Sequence, residues 1–93
     1  MVIVAVRLRL GLPGARSLKD KRRILKSIMT RLRNEFNLSI AEIGSNDAWR
    51  QSELGLAIVA NDTAYGHRVI DKVVRKIELN QDILLTDVQM ETC

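Results

Sequence analysis

The chain has little of what catalytic and secreted proteins rely on. Among its 93 residues there is one cysteine, Cys93, and one histidine, His67. A single cysteine makes no intrachain disulfide, so a reducing cytoplasm is the expected compartment. One histidine and one cysteine do not assemble a His/Cys metal site, and no nucleophile-elbow sequence brings Ser39, Ser45 or Ser52 to His67. No catalytic residue, cofactor or metal is therefore expected, and His67 reads as a surface residue of a helix. Aromatic residues are equally scarce, with Phe36, Trp49 and Tyr65 making up the whole set. Long apolar runs are missing too. Met1 to Val6 is too short for a signal-peptide core and is followed by Arg7 and Arg9. No stretch is long enough to span a bilayer, so a membrane partner is not expected.

What is present fits one small folded domain. Hydrophobic residues at 46% beside 28% charged residues place the chain among ordinary globular proteins rather than disordered ones. Its length suits a single core spanning residues 1–93. The charge is unevenly spread. Between Arg16 and Arg33 stand eight basic residues against Asp20 alone, a net +7, while the remaining seven basic and ten acidic residues carry −3. Such asymmetry suits a polyanionic partner, nucleic acid first.

Apolar periodicity alternates between two and about 3.6. Val2, Val4, Val6, Leu8 and Leu10 share one face of a first strand, opposite Ile3, Ala5, Arg7 and Arg9. Pro13-Gly14 makes a turn in which Gly14 is expected to take a positive φ. Ser17 caps a helix over 18–35, with Asp20 completing a capping-box-like pair. Leu18, Leu25, Ile28, Met29 and Leu32 form its apolar stripe, which Lys21-Arg22 interrupts. The stems of both could snorkel over the core edge; for Lys21 that is at least as good a reading as a specific contact.

A second strand with Leu38, Ile40, Ala41 and Ile43 leads to a hairpin tip at Gly44-Ser-Asn-Asp47. The returning strand, about 50–60, sets Leu54, Leu56 and Ile58 against Glu53, Gly55, Ala57 and Val59. Asn61-Asp62-Thr63 starts a second helix that ends near Asn80, with Tyr65, Val69, Ile70, Val73 and Ile77 on its apolar face. A last strand over 83–91 puts Leu84, Val88 and Met90 opposite Ile83, Leu85, Asp87, Gln89 and Glu91. The order βαββαβ predicts an α+β, ferredoxin-like sandwich, with a four-stranded antiparallel sheet in the order 4-1-3-2 and both helices on one face.

Two surfaces follow. On a helical wheel Lys19, Arg22, Arg23, Lys26 and Arg33 gather on one flank, and Arg16 in the loop before the helix adds a bidentate donor. These six residues are the candidate nucleic-acid contacts, as a distributed backbone footprint rather than one phosphate pocket, because Asp20 opposes an anion at the helix start. On the helix-free face of the sheet, Ile3, Ala5, Gly55, Ala57 and Val59 form a smooth strip beside Arg7, Arg9, Glu53, Asp87 and Glu91, which are expected to pair across strands. That strip is the candidate interface of a homodimer or another protein partner. The central strands lack aromatics, which excludes RNA-recognition-motif stacking on the sheet. Phe36 and Tyr65 are expected in the core. Trp49 either packs under the hairpin or stands as an exposed anchor, with packing or interface burial favoured.

The segments LPGARSLKDKRRILKS (12–27), RLRNEFNLSIAEIG (31–44) and DAWRQSELGLAIVAND (47–62) resemble the YlxP-like family of small bacterial proteins of unknown function. The likeness covers nearly the whole chain. Its signature residues here are Pro13, Gly14, Ser17, Leu18, Lys19, Lys21 and Arg22. The resemblance implies a ferredoxin-like fold. It also implies an RNA or ribosome association, since such proteins often lie in gene clusters with translation initiation and ribosome-maturation factors. It carries no catalytic residues. Acylphosphatase shares this fold and uses an arginine in the loop where Arg16 lies, with Asn46 or Asn61 as conceivable water-orienting groups, but a fold-level analogy is weak ground for an activity.

Overall fold

A computed structural model describes all residues, Met1–Cys93. The elements are β1 (Val2–Gly11), α1 (Leu18–Glu35), β2 (Ser39–Gly44), β3 (Gln51–Ala60), α2 (Thr63–Glu78) and β4 (Leu84–Thr92). The strands form one antiparallel sheet ordered β2-β3-β1-β4, which is the expected 4-1-3-2 read from the other edge. The α+β architecture is therefore the one the periodicity implies.

β1 and β3 pair along their full lengths, from Val2 with Ala60 to Gly11 with Gln51. Directly opposed residues point to the same side, so one register buries Val4, Val6, Leu8 and Leu10 together with Leu54, Leu56 and Ile58. The helices complete this core with Ile24, Leu25, Ile28 and Leu32 from α1 and Ile70, Val73 and Ile77 from α2. Ile24 widens the α1 stripe beyond the expected set and leaves position 21 on the buried side of the helix. α2 approaches the sheet most closely at Gly66, where an added Cβ would stand 2.8 Å from Val4 Cγ2. Lys76 of α2 and Glu35 of α1 form an ion pair at 2.7 Å that ties the helices together. No helix is long and apolar enough to cross a membrane.

Several local expectations need correction. The Pro13-Gly14 turn is closed by Ala15 N–H donating to Leu12 O at 3.1 Å, but no glycine in the chain has a positive φ. The turn bends without the left-handed conformation that would have demanded glycine. Tyr65 is 51% exposed rather than in the core, because it lies in the first turn of α2, ahead of the point where the helix meets the sheet; its ring instead lies under the Arg68 guanidinium, 5.9 Å from the ring centre. Phe36 packs half-buried against the core. α2 ends at Glu78, with Leu79 as its C-cap. In β4 a bulge at Thr86 separates the pairs Arg9–Asp87 and Leu10–Leu85, with Thr86 Oγ1 donating to Arg9 O. The extra residue reverses the parity. Leu85 thus packs beside Leu10 against the core, and Leu84 is turned out.

Candidate nucleic-acid interface

The segment that carries the basic residues is held from both ends of the Leu12–Ser17 connection. Leu12 and Ala15 are buried, and Leu12 N–H donates to Arg50 O at 2.8 Å. At the helix start Ser17 Oγ accepts from Asp20 N–H at 3.1 Å, while Asp20 Oδ2 accepts from Arg16 N–H at 3.0 Å. This is a capping box displaced by one residue. It occupies the Asp20 N–H of the first helical turn and the Arg16 N–H before it, two donors that are then closed to an anion.

Arg16, Lys19, Arg22, Arg23 and Lys26 are all exposed, and none has an acidic partner within 4.0 Å. The four on α1 sit at helical spacings of three and four, so like charges face one another without neutralisation. Arg33 is exposed too, but its Nη2 donates to Ile40 O at 2.9 Å. It ties α1 to the start of β2 and is a partial member of the patch.

Lys21 differs from every other basic residue of the segment. It is 1% exposed, and its ammonium donates to Ser45 O at 2.6 Å, Ala48 O at 2.7 Å and Glu42 Oε2 at 3.0 Å, with Asn46 O further off at 3.4 Å. Three short acceptors use the three N–H bonds of an ammonium, and the carboxylate balances its charge. Glu42 Oε2 also accepts from Ser52 Oγ at 2.8 Å. Lys21 neither snorkels nor offers its charge to a ligand: it fixes the β2–β3 loop. The sequence signal for this node was parity. Glu42 and Ser52 occupy core-facing positions of β2 and β3, opposite Leu54 and Leu10 respectively, where apolar residues would otherwise stand.

The loop so fixed carries Trp49, which is 52% exposed instead of packed beneath the hairpin. Both of its neighbours are anchored, Ala48 through its carbonyl to Lys21 and Arg50 through Nε to Ala15 O at 3.2 Å. Ser45, with φ of 58°, is the one non-glycine residue in the left-handed region, and it directs a carbonyl to Lys21.

The helix-free face of the sheet holds Ile3, Ala5, Gly55, Ala57 and Val59, as the alternation requires. Val59 is 64% exposed and Ile3 37%. Ile43, which alternation places on this face after Ala41, sits in a bulge with its side chain over Gly55, 3.1 Å from where a Cβ would be. Ala5, Ala41, Gly55 and Ala57 floor a trough of about 680 Å³, rimmed by Arg7, Gln89 and Glu91, while Ile3 and Val59 lie outside it. Arg7 pairs with Glu53 at 3.4 Å, whereas Arg9, flanked by Glu53 and Asp87 in register, makes no ion pair. His67 is half-buried, its Nε2 3.0 Å from Thr92 Oγ1, and so links α2 to the end of β4.

Residues 3–90 match a family described as protein of unknown function, DUF503. A curated relative, the uncharacterized protein YlxP of Bacillus subtilis (strain 168), is 38% identical over 77 residues, covering 83% of this chain and 84% of the relative. Among solved structures the de novo designed protein Foldit4 superposes with a TM-score of 0.54 at 20% identity, covering 99% of this chain and 94% of the other. That likeness is one of fold.

Proposed function

The chain belongs to the DUF503 family of proteins of unknown function, and from its basic flank we propose that it is a non-enzymatic RNA-binding protein, acting on RNA free or within the ribosome. The observation that carries this reading is the cluster of Arg16, Lys19, Arg22, Arg23 and Lys26, exposed and without acidic partners, in a segment that carries +7 while the rest of the chain sums to −3. Other cations such as Arg9 are unpaired too, but only in residues 16–26 do five exposed ones crowd together with Asp20 as the sole acidic residue. Phosphates supply the missing counterions, and each one neutralised releases condensed cations. With five contacts, binding to single-stranded RNA falls by about three to four decades per decade of salt. A reducing cytoplasm is the compartment this role and the single cysteine suit.

Charge reversal at Arg22, Arg23 and Lys26 tests the reading. We expect the variant to keep its circular dichroism and lose affinity for ribosomal RNA, measured by anisotropy at low salt. Affinity and salt slope equal to the unaltered protein would sink the proposal.

The sheet trough favours a second role, association with another copy of the chain. Its face offers both signs of charge, Arg9 unpaired and Asp87 and Glu91 without a basic partner, and this is what a two-fold, self-complementary contact requires. Ala57→Glu places a charge on the trough floor and is expected to convert a sedimenting dimer to monomer. A chain that sediments as monomer at all accessible concentrations excludes this role.

A further inference from the structure

We propose that Trp49 is a stacking platform for an unpaired base of single-stranded RNA, set beside the basic start of α1. This rests on the RNA-binding reading above and extends it from phosphate contact to the recognition of unstacked bases.

A tryptophan in the connection between β2 and β3, residues 45–50, whose other members are polar apart from Ala48, is out of place unless its ring meets something. Large aromatic rings are normally buried, and this one is half exposed although a core lies within reach of the same hairpin. The loop is not free to fold the ring away. Lys21 binds the carbonyls at 45 and 48 from below, and Arg50 binds Ala15 O on the far side of Trp49. Burial of a lysine charge is tolerated only with full hydrogen bonding, and here that bonding is spent on rigidifying one loop. A platform fixed before binding loses little freedom when a ligand arrives.

The anchors also set the neighbourhood. Arg50 reaches the backbone next to Arg16, and Lys21 lies between Lys19 and Arg22 in α1, so the loop is laced to the first turns of the basic helix. Asp47 is the single acidic side chain of the loop, against Arg50 in it, and the anchoring residues Ala15 and Lys21 are flanked in sequence by Arg16 and by Arg22, with Lys19 two residues before Lys21. An aromatic face next to several unpaired cations is the pairing single-stranded nucleic acid uses: cations for the backbone, ring for a base. A duplex, with its bases stacked inside, meets only the cations.

Trp49 is the only tryptophan, so its emission reports the site directly. The test titrates the full chain with an end-labelled ten-nucleotide single-stranded RNA and with the same strand annealed to its complement, following label anisotropy and Trp49 fluorescence together. We expect the single strand to quench Trp49 in step with binding and the duplex to bind without quenching. Trp49→Ala should weaken single-strand binding by about 5- to 150-fold and leave duplex binding unchanged, with Trp49→Phe between. Because the ring is half exposed, both variants should keep the native circular dichroism. Saturated single-strand binding with unchanged emission, or unchanged affinity in Trp49→Ala, overturns the platform while the basic-flank reading stands. Emission that shifts with protein concentration alone assigns the ring to contact between copies and also overturns it. No binding of either RNA at low salt overturns both readings.

Discussion

Lys21 sits where helical periodicity asks for a leucine, and its surroundings explain why a lysine is accepted there. Replacing it removes the ammonium from two inward-facing carbonyls, leaving Ser45 O with only Ala48 N–H at 3.2 Å, and takes away the counter-charge of Glu42 in the same step. Lys21→Met keeps most of the buried volume yet leaves the Glu42 carboxylate without its counter-charge and the two carbonyls without the ammonium, so we expect a loss of about 3 kcal/mol in urea unfolding. Glu42→Gln, which retains an acceptor for Lys21 and Ser52, should cost less. If Lys21→Met were neutral, the loop would not depend on the node. Glycines divide in the same way. Gly66→Ala adds a methyl 2.8 Å from Val4 on a rigid strand, a clash of about 1–3 kcal/mol that outweighs the roughly 1 kcal/mol gained in helix propensity. Gly14→Ala meets nothing within 4 Å and no positive φ, so it should be neutral or stabilise slightly. Thermal melts of the two variants check the contrast.

At the scale of elements, α1 has two unlike sides. Its buried side anchors the sheet and the β2–β3 loop. Its outer side sets Lys19 against Arg23 and Arg22 against Lys26 four residues apart, and each such like-charge pair costs about 0.2–0.5 kcal/mol. The helix is thus less stable than its length allows. Neutralising Arg22, Arg23 and Lys26 to glutamine should raise the melting temperature at low salt by a few degrees, roughly 1 kcal/mol in all, with the gain shrinking as salt screens the repulsion. A fall in stability would mean that these side chains hold contacts within the fold. The same helix shows how far sequence reading reaches. Its bounds, its Ser17 cap and the exposure of its basic flank were legible, because caps and periodicity act locally. The partner of Lys21 was only half legible: Glu42 and Ser52 betray themselves by parity, but their meeting with Lys21 depends on how α1 lies over the sheet. The bulges at Ile43 and Thr86 left no local mark at all. They reconcile the register of neighbouring strands, and the one at Thr86 moved Leu84 out of the core and Leu85 against it. Trp49 was ambiguous for the same reason, since its exposure follows from distant anchors.

For the molecule as a whole, the outer side of α1 and the open face of the sheet lie on opposite sides of the core. RNA bound along the helix and a second copy bound on the sheet would then not compete. Sedimentation of the chain with and without saturating RNA should give the same constant for association between copies. A strong change in that constant would show that one surface serves both purposes. The apolar balance of the sheet face, with small residues in the middle strands and charges at one end, already follows from the alternation of β1 and β3.

The depth of Lys21 has a chemical side. An amine reacts with an acylating reagent through a free lone pair, and the Lys21 nitrogen is enclosed with all its protons committed, whereas Lys19, Lys26 and Lys72 stand in solvent. In the native protein those three should acquire label promptly and Lys21 should stay bare. The rate at which Lys21 is finally acylated then measures how often the loop carrying Trp49 lifts away from the helix beneath it.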